Sequence, residues 1–326
     1  MNKENERGDL TRGPIGRQLL LFALPLLGAS LIQQLYNTVD LLFVGNLLGT
    51  NATAAVGASS LLTNCIVGFF TGLSIGTGVI IAQAAGEQNR GKIHKAVHTA
   101  MGLSLAGGVI MTLLGLLLSR RILVWMNTPG EILEEGLLYI RIYLLSMIPL
   151  FVYNMNAGII RARGDSRTPM LIQLLGAAVH VVLDAVCMGF LDMGVDGAAG
   201  ATVLSQLIAA GCSVVYLARR KDEYRLSLKE MKIDRGILAG ILNLGIPAGL
   251  QNMVITISNI FVQTAINGLG VGVIAAFTAY FKVELLIYLP IMAFGQAATT
   301  FVGQNLGAGE KGRLKKGENV CIAMGI

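Results

Sequence analysis

Two acidic residues, Asp40 and Asp184, lie inside apolar stretches long enough to cross a bilayer, and no charged residue stands beside either. An ionised carboxylate at that depth costs about 3 kcal/mol on insertion scales, so each calls for a cation or a proton. Membrane proteins use such groups to take up and release ions or protons during transport. Lys282 and Glu284 are further intramembrane charges. Two positions apart on a helix they do not face each other, so each needs its own partner or a water-filled cavity. They read as cavity or coupling residues, with purely structural pairing as the alternative. Gln33, Tyr36, Asn37, Asn154 and Asn156 add polar surface, open to substrate contact or to ordinary bonding between helices.

Membrane helices must position these residues. The 326 residues are 54% hydrophobic and 13% charged, a balance that fits an all-α polytopic membrane protein and not a soluble domain. Apolar runs of about 20 residues predict spans at 18–47, 52–85, 96–118, 136–160, 169–191, 197–218, 236–267 and 271–306, with a ninth beginning after Lys316. The chain up to Arg17 is polar and of mixed charge, so no cleavable signal is expected and the first span stays. The four cysteines fall in apolar spans and suggest neither disulfides nor a zinc site. With three histidines and no cluster of nucleophile, base and metal ligands in the sequence, an enzyme is not expected, and no cofactor is called for.

Of the 25 Lys and Arg, all but a few fall in the N-terminal tail and in the segments 90–95, 161–167, 219–235 and 311–316, which lie on one side of the predicted spans. The positive-inside rule then makes the N-terminus cytoplasmic and the location a multi-pass plasma (cytoplasmic) membrane protein. The net charge of +6 reflects these loops and implies no nucleic acid.

The opening of the chain returns after the sixth span. Gly49 and Gly270, Gln83 and Gln304, Gly86 and Gly307, and Gly91 and Gly312 are all separated by one and the same interval, and Pro25 and Pro247 by a single position more. Six spans per copy give parallel repeats about an axis along the membrane normal, hence two pseudo-symmetric six-helix lobes with a cavity between them. The expected domains are an N-terminal lobe (1–218), a basic cytoplasmic linker (219–235) and an incomplete C-terminal lobe (236–326). Two full copies of that interval would outrun the 326 residues present, so the sequence is expected to be a C-terminally truncated fragment with about eight complete transmembrane helices.

The stretches Gln33-Gln34-Leu35-Tyr36-Asn37-Thr38-Val39-Asp40, Arg161-Ala162-Arg163-Gly164-Asp165-Ser166-Arg167-Thr168-Pro169, Leu183-Asp184 with Gly197-Ala198-Ala199-Gly200-Ala201-Thr202, and Val302-Gly303-Gln304-Asn305-Leu306-Gly307 resemble those of the multidrug and toxic compound extrusion (MATE) transporters. The resemblance implies a 12-helix exporter of two six-helix lobes, driven by Na⁺ or H⁺, with amphipathic or cationic small molecules as substrates. It also points to the DinF-like rather than the NorM-like branch, because Ile255 stands where the latter carries an acid. Asp40, Asp184 and Thr202 match the cation site implied for that branch, a possible Na⁺ site. Their depths agree, Asp40 lying about seven residues, or ~10 Å, from the outer end of its span. Where relatives place an Asn, this chain has His180. Free imidazole is a poor Na⁺ ligand and titrates near pH ~6.5, which tilts the expectation toward protons; a His that merely bonds a neighbouring helix is the alternative.

Other motifs carry no chemistry. Gly86-Glu87-Gln88-Asn89-Arg90-Gly91-Lys92 mimics a phosphate loop, but Ile93 replaces the required Ser or Thr. Thr168-Pro169 reads as a helix N-cap and first-turn proline. The expected function is secondary active multidrug export by alternating access in a monomer embedded in the lipid bilayer. Rivals are a lipid-linked oligosaccharide flippase of the same superfamily and a membrane channel.

Overall fold

The computed structural model describes residues 9–125, 128–267, 269 and 271–325; the side chains at 50–51, 58, 60–62, 260, 267, 271, 274–275, 278–279, 282 and 325 stand outside that description. Every regular element among the described residues is helical. The long helices are α1 (Ile15–Phe43), α2 (Gly49–Gly86), α3 (Arg90–Trp125), α4 (Gly130–Leu144), α5 (Met147–Ala162), α6 (Arg167–Asp184), α7 (Val195–Ala218), α8 (Arg235–Asn267), α9 (Val271–Gly307) and α10 (Lys311–Gly325). Seven helical stretches are long and apolar enough to span a bilayer, or eight when α4 and α5 count as one bent span.

That bend is a departure from the single span expected at 136–160. α4 and α5 meet at 46°. Pro149, the third residue of α5, has no N–H with which to continue the ladder of α4, and the Ser146 hydroxyl donates to the Tyr143 carbonyl at 2.6 Å. Two other helices change pitch instead of breaking. α1 passes into a π-helical segment, Val44–Leu48, and α6 into another, Ala185–Phe190, and the two segments touch. Each begins within one helical turn or so of a site aspartate, Asp40 in one case and Asp184 in the other.

α8 lies antiparallel on α2. Gly72 and Gly76 of α2 face Gly249 and Gly245 of α8 so closely that a Cβ on Gly72 would fall 2.1 Å from the Gly249 nitrogen. Small residues four apart on both partners let the backbones touch. Asn252 then donates to the Gly68 carbonyl at 3.1 Å. Beyond that level α8 presents Val254 and Phe261 to the outside, 60% and 72% exposed.

α9 lies parallel to α2, and here the internal repeat becomes spatial. A Cβ on Gly86 would sit 1.9 Å from the Gln304 carbonyl oxygen, and one on Gly307 would sit 2.0 Å from that of Gln83. The repeat mates exchange matching contacts, as across a two-fold axis. Both helices also end alike: Asn89 N–H donates to Ala84 and Glu310 N–H to Asn305, each at 3.0 Å, past a residue of positive φ, Gln88 (+54°) in one copy and Gly309 (+73°) in the other.

The basic segments gather at this same end. Gln304 donates to the Ala162 carbonyl at 2.9 Å and accepts from the Leu10 N–H at 2.9 Å. Arg313 donates to the carbonyls of Gly13 and Leu10 at 2.7 and 3.1 Å. Arg163 and Arg220 both reach Asp222 of the linker, at 3.4 and 2.7 Å. The Thr168-Pro169 expectation needs correction: Asp165 caps α6, accepting the N–H groups of Arg167 and Thr168 at 3.1 and 3.0 Å, and the Thr168 hydroxyl donates to the same carboxylate. A carboxylate just ahead of the helix satisfies two of its free donors at once.

Candidate functional site

Asp184 ends the α-helical part of α6, and His180 lies one turn earlier on the same face. Both are buried, Asp184 at 0% and His180 at 2% exposure. The imidazole Nδ1 is 2.8 Å from Asp184 Oδ2. The approach is out of line for a hydrogen bond, and the Asp184 oxygens keep no hydrogen-bond partner among the described residues. On the opposite side of the ring, Nε2 meets the Thr202 hydroxyl of α7 at 3.0 Å, and that hydroxyl also reaches the Ala198 carbonyl at 3.2 Å. His180 therefore stands between Thr202 and Asp184.

α1 supplies the third member of the group. Ligand atoms of Asp40, His180 and Asp184 all lie within 4.8 Å of one another. Asp40 is half-buried, and its Oδ1 is enclosed without a hydrogen-bond partner among the described residues. Tyr36, one turn before Asp40, tilts over His180 with ring centroids 5.1 Å apart. The donor set facing the carboxylates is thus oxygen, oxygen and imidazole nitrogen, with the Thr202 hydroxyl on the far side of the ring. This differs from the all-oxygen cation site of Asp40, Asp184 and Thr202 expected above, because the larger imidazole occupies the space between two of its members.

Two residues that sequence reading passed over belong to the same region. Tyr139 and Tyr143 project from one face of α4, their rings 6.0 Å apart, and both interact electrostatically with Asp40. The Tyr143 hydroxyl is hydrogen-bonded to Thr63 of α2. The signal was present: two tyrosines four apart inside an apolar helix put two hydroxyls on one face, a turn apart.

The remaining candidates divide. Gln33 and Asn37 are exposed on α1. Asn154 is half-buried, with its amide donating to the Leu150 carbonyl at 2.8 Å. Asn156 is fully buried and donates to Ser213 of α7 at 2.9 Å, the bonding between helices given above as the alternative to substrate contact. Glu284 is exposed on α9, whereas the side chain of Lys282 lies outside the described residues. Ile255 is exposed on α8.

This arrangement sits in a chain with clear relatives. The MatE family profile matches residues 25–186 and 247–326. The "Probable multidrug resistance protein YpnP" of Bacillus subtilis is 33% identical over 311 residues, covering 94% of this chain and 68% of that protein. The "Probable multidrug resistance protein YoeA" of the same organism is 29% identical, covering 93% and 67%. Among solved structures, the outward-facing conformation of a multidrug resistance MATE family transporter of the MOP superfamily superposes with a TM-score of 0.90 at 27% identity, over 99% of this chain and 71% of that one.

Proposed function

This chain belongs to the MatE family of multidrug efflux transporters, and we propose that it moves amphipathic or cationic small molecules out of the cell in exchange for protons taken up at His180, Asp184 and Asp40. The basic end faces the cytoplasm, which the concentration of Lys and Arg at that end supports, and the membrane in this reading is the plasma membrane.

The observation that carries the proton reading is the position of His180 between two partners of different character. Beside an ionised Asp184, Nδ1 must hold a proton, because a lone pair 2.8 Å from a carboxylate oxygen would be repelled. Nε2 is then the nitrogen that changes. When the ring is neutral, the Thr202 O–H donates to Nε2; when a proton arrives there, the new N–H donates to Thr202, whose own hydrogen turns to the Ala198 carbonyl. One hydroxyl rotation keeps Nε2 and the Thr202 hydroxyl paired in both states. Two carboxylates and one imidazole reach neutrality with two protons, one on the ring and one on a carboxylate. A neutral site can be sealed from water during the change of access, whereas a net negative one resists it.

Alternation follows from the contact pattern. Among the described residues α2 meets α8 and α9 over the basic half of the molecule, and the exposure of Val254 and Phe261 beyond it supports a substrate path that opens toward the opposite side. Protonation from that side neutralises the site, substrate departs, and the lobes rock to expose the basic end, where the protons leave and new substrate enters. Imidazole in place of an oxygen ligand disfavours Na⁺ as the coupling ion.

The test is dye-cation transport in proteoliposomes under separately imposed pH and Na⁺ gradients. A pH gradient should drive transport, a Na⁺ gradient should not, and His180→Asn should uncouple transport from pH. Equal drive by Na⁺ together with an unchanged pH dependence in His180→Asn would overturn the proton assignment.

A further inference from the structure

A second group of potential ligands lies far from the membrane site, at the basic end, where α3 meets the linker between α7 and α8. We propose that His94, His98 and Glu230 form a binding site for a divalent transition-metal ion of the zinc class. Their ligand atoms all lie within 4.8 Å of one another. They come from distant parts of the chain, the two histidines from the first turns of α3 and the glutamate from a 3₁₀ turn, Leu228–Glu230, in the linker.

The chemistry of each donor fits. His94 and His98 are four apart on one helical face, and their rings lie tilted to each other with centroids 4.2 Å apart. His98 Nδ1 donates to the His94 carbonyl at 2.8 Å, and its Nε2 accepts from the Ser227 N–H at 3.2 Å. A backbone carbonyl on one ring nitrogen is the usual way a ligating His is oriented, because it fixes the tautomer and leaves the other nitrogen as the donor. The long Ser227 bond is the one the metal would replace. His94 Nε2 already faces Glu230 Oε2 at 2.9 Å. Nitrogen and carboxylate donors in a set of three, completed by water, suit zinc. Tetrahedral zinc at about 2.0–2.1 Å from each donor wants donors ~3.3 Å apart. Closing from a spacing of up to 4.8 Å takes at most about 1.5 Å of movement, which His94 and Glu230 can supply, their side chains being 40% and 60% exposed. Nearby opposite charges are already paired, Lys95 with Asp234 at 3.2 Å and Arg90 with Glu223 at 3.9 Å. The bound ion would tie the linker to the first lobe.

The test uses the tag-free purified chain in detergent, Co²⁺ as a spectroscopic probe and Zn²⁺ as its competitor, with His94→Gln and Glu230→Gln as variants at exposed positions. The wild type should bind one equivalent with visible absorption of tetrahedral character, each variant should weaken it by about tenfold or more, and Zn²⁺ should slow tryptic cleavage within 219–235 in the wild type alone. Absence of binding by the wild type would overturn the site. So would binding unchanged in both variants, which would put the ion elsewhere, as at Asp40, His180 and Asp184.

Discussion

Gly86→Ala should force the two repeats apart at the basic end. The added methyl would sit 1.9 Å from the Gln304 carbonyl oxygen and 2.8 Å from the Ala308 nitrogen, both backbone atoms that cannot swing aside. Ordinary contact begins at 3.4 Å. To restore it, α2 and α9 must separate locally by more than an ångström, and overpacking of this kind costs about 1–3 kcal/mol. Because the clash exists only where the basic ends touch, the whole cost falls on that conformation. At about 1.4 kcal/mol per tenfold, the balance shifts roughly 5- to 150-fold toward the state with the basic end open. Gly307→Ala should match it, since its methyl would meet the Gln83 oxygen at 2.0 Å. The double variant should fall short of the sum, as one separation relieves both clashes. Electron–electron distance measurements between spin labels at Arg90 and Lys311, in a cysteine-free background, read the population directly. Gly200→Ala, where nothing lies within 4 Å of the new methyl, is the control. If Gly86→Ala gave the distance distribution of that control, the reciprocal packing would have no hold on the lobes.

Further predictions concern the membrane site, the core and the linker. Asp184→Asn should abolish pH-driven dye transport while the thermal unfolding midpoint holds or rises, since it removes a buried charge and keeps the shape; retained coupled transport would count against the proton scheme. Thr202→Val should impair pH-driven transport and Thr202→Ser should restore it, because only the hydroxyl serves both states of His180. Asn156→Leu should lower stability by about 1–3 kcal/mol, read as a fall in thermal midpoint with coupling intact. In the linker, burial raises the Asp222 carboxyl, but bonding to Arg220, the charges of Arg163 and Arg220 and the Tyr224 N–H outweigh it and hold the group below its ordinary 3.8. A depressed carboxyl contributes stability above its unfolded value and loses it as pH falls through the folded one. Pepsin cleavage within 219–235 should therefore rise as pH drops below about 3.8 in the wild type, and Asp222→Asn should be cleaved readily above that point too.

Much of this molecule was readable in its residues, and the reasons are physical. Apolar runs of bilayer length announce spans whatever the tertiary context, and the shared spacing of Gln83 and Gln304, Gly86 and Gly307 anticipated a repeat whose mates meet face to face. Asp40 and Asp184 stood out because isolated carboxylates in hydrocarbon are costly. Lateral convergence was not readable, since depth along a helix says nothing of its rotation. Hence Thr202 was expected beside the carboxylates and instead lies across the imidazole. The bend between α4 and α5 had a signal in Ser146 and Pro149 that apolar continuity masked. The His94, His98 and Glu230 group could not be foreseen, because Glu230 is 136 residues from His94 and reaches it only through the folded linker.

The π-helical turns beyond Asp40 and Asp184 have a mechanical corollary. Each carries one residue more than the regular ladder needs, so it acts as a stored step of a screw. Handing that surplus along the helix would turn the residues it passes by about 100° and leave those on either side in register. Two such steps in contact with one another would let the short stretches of α1 and α6 that carry Asp40 and Asp184 turn against each other while the rest of both helices stays fixed.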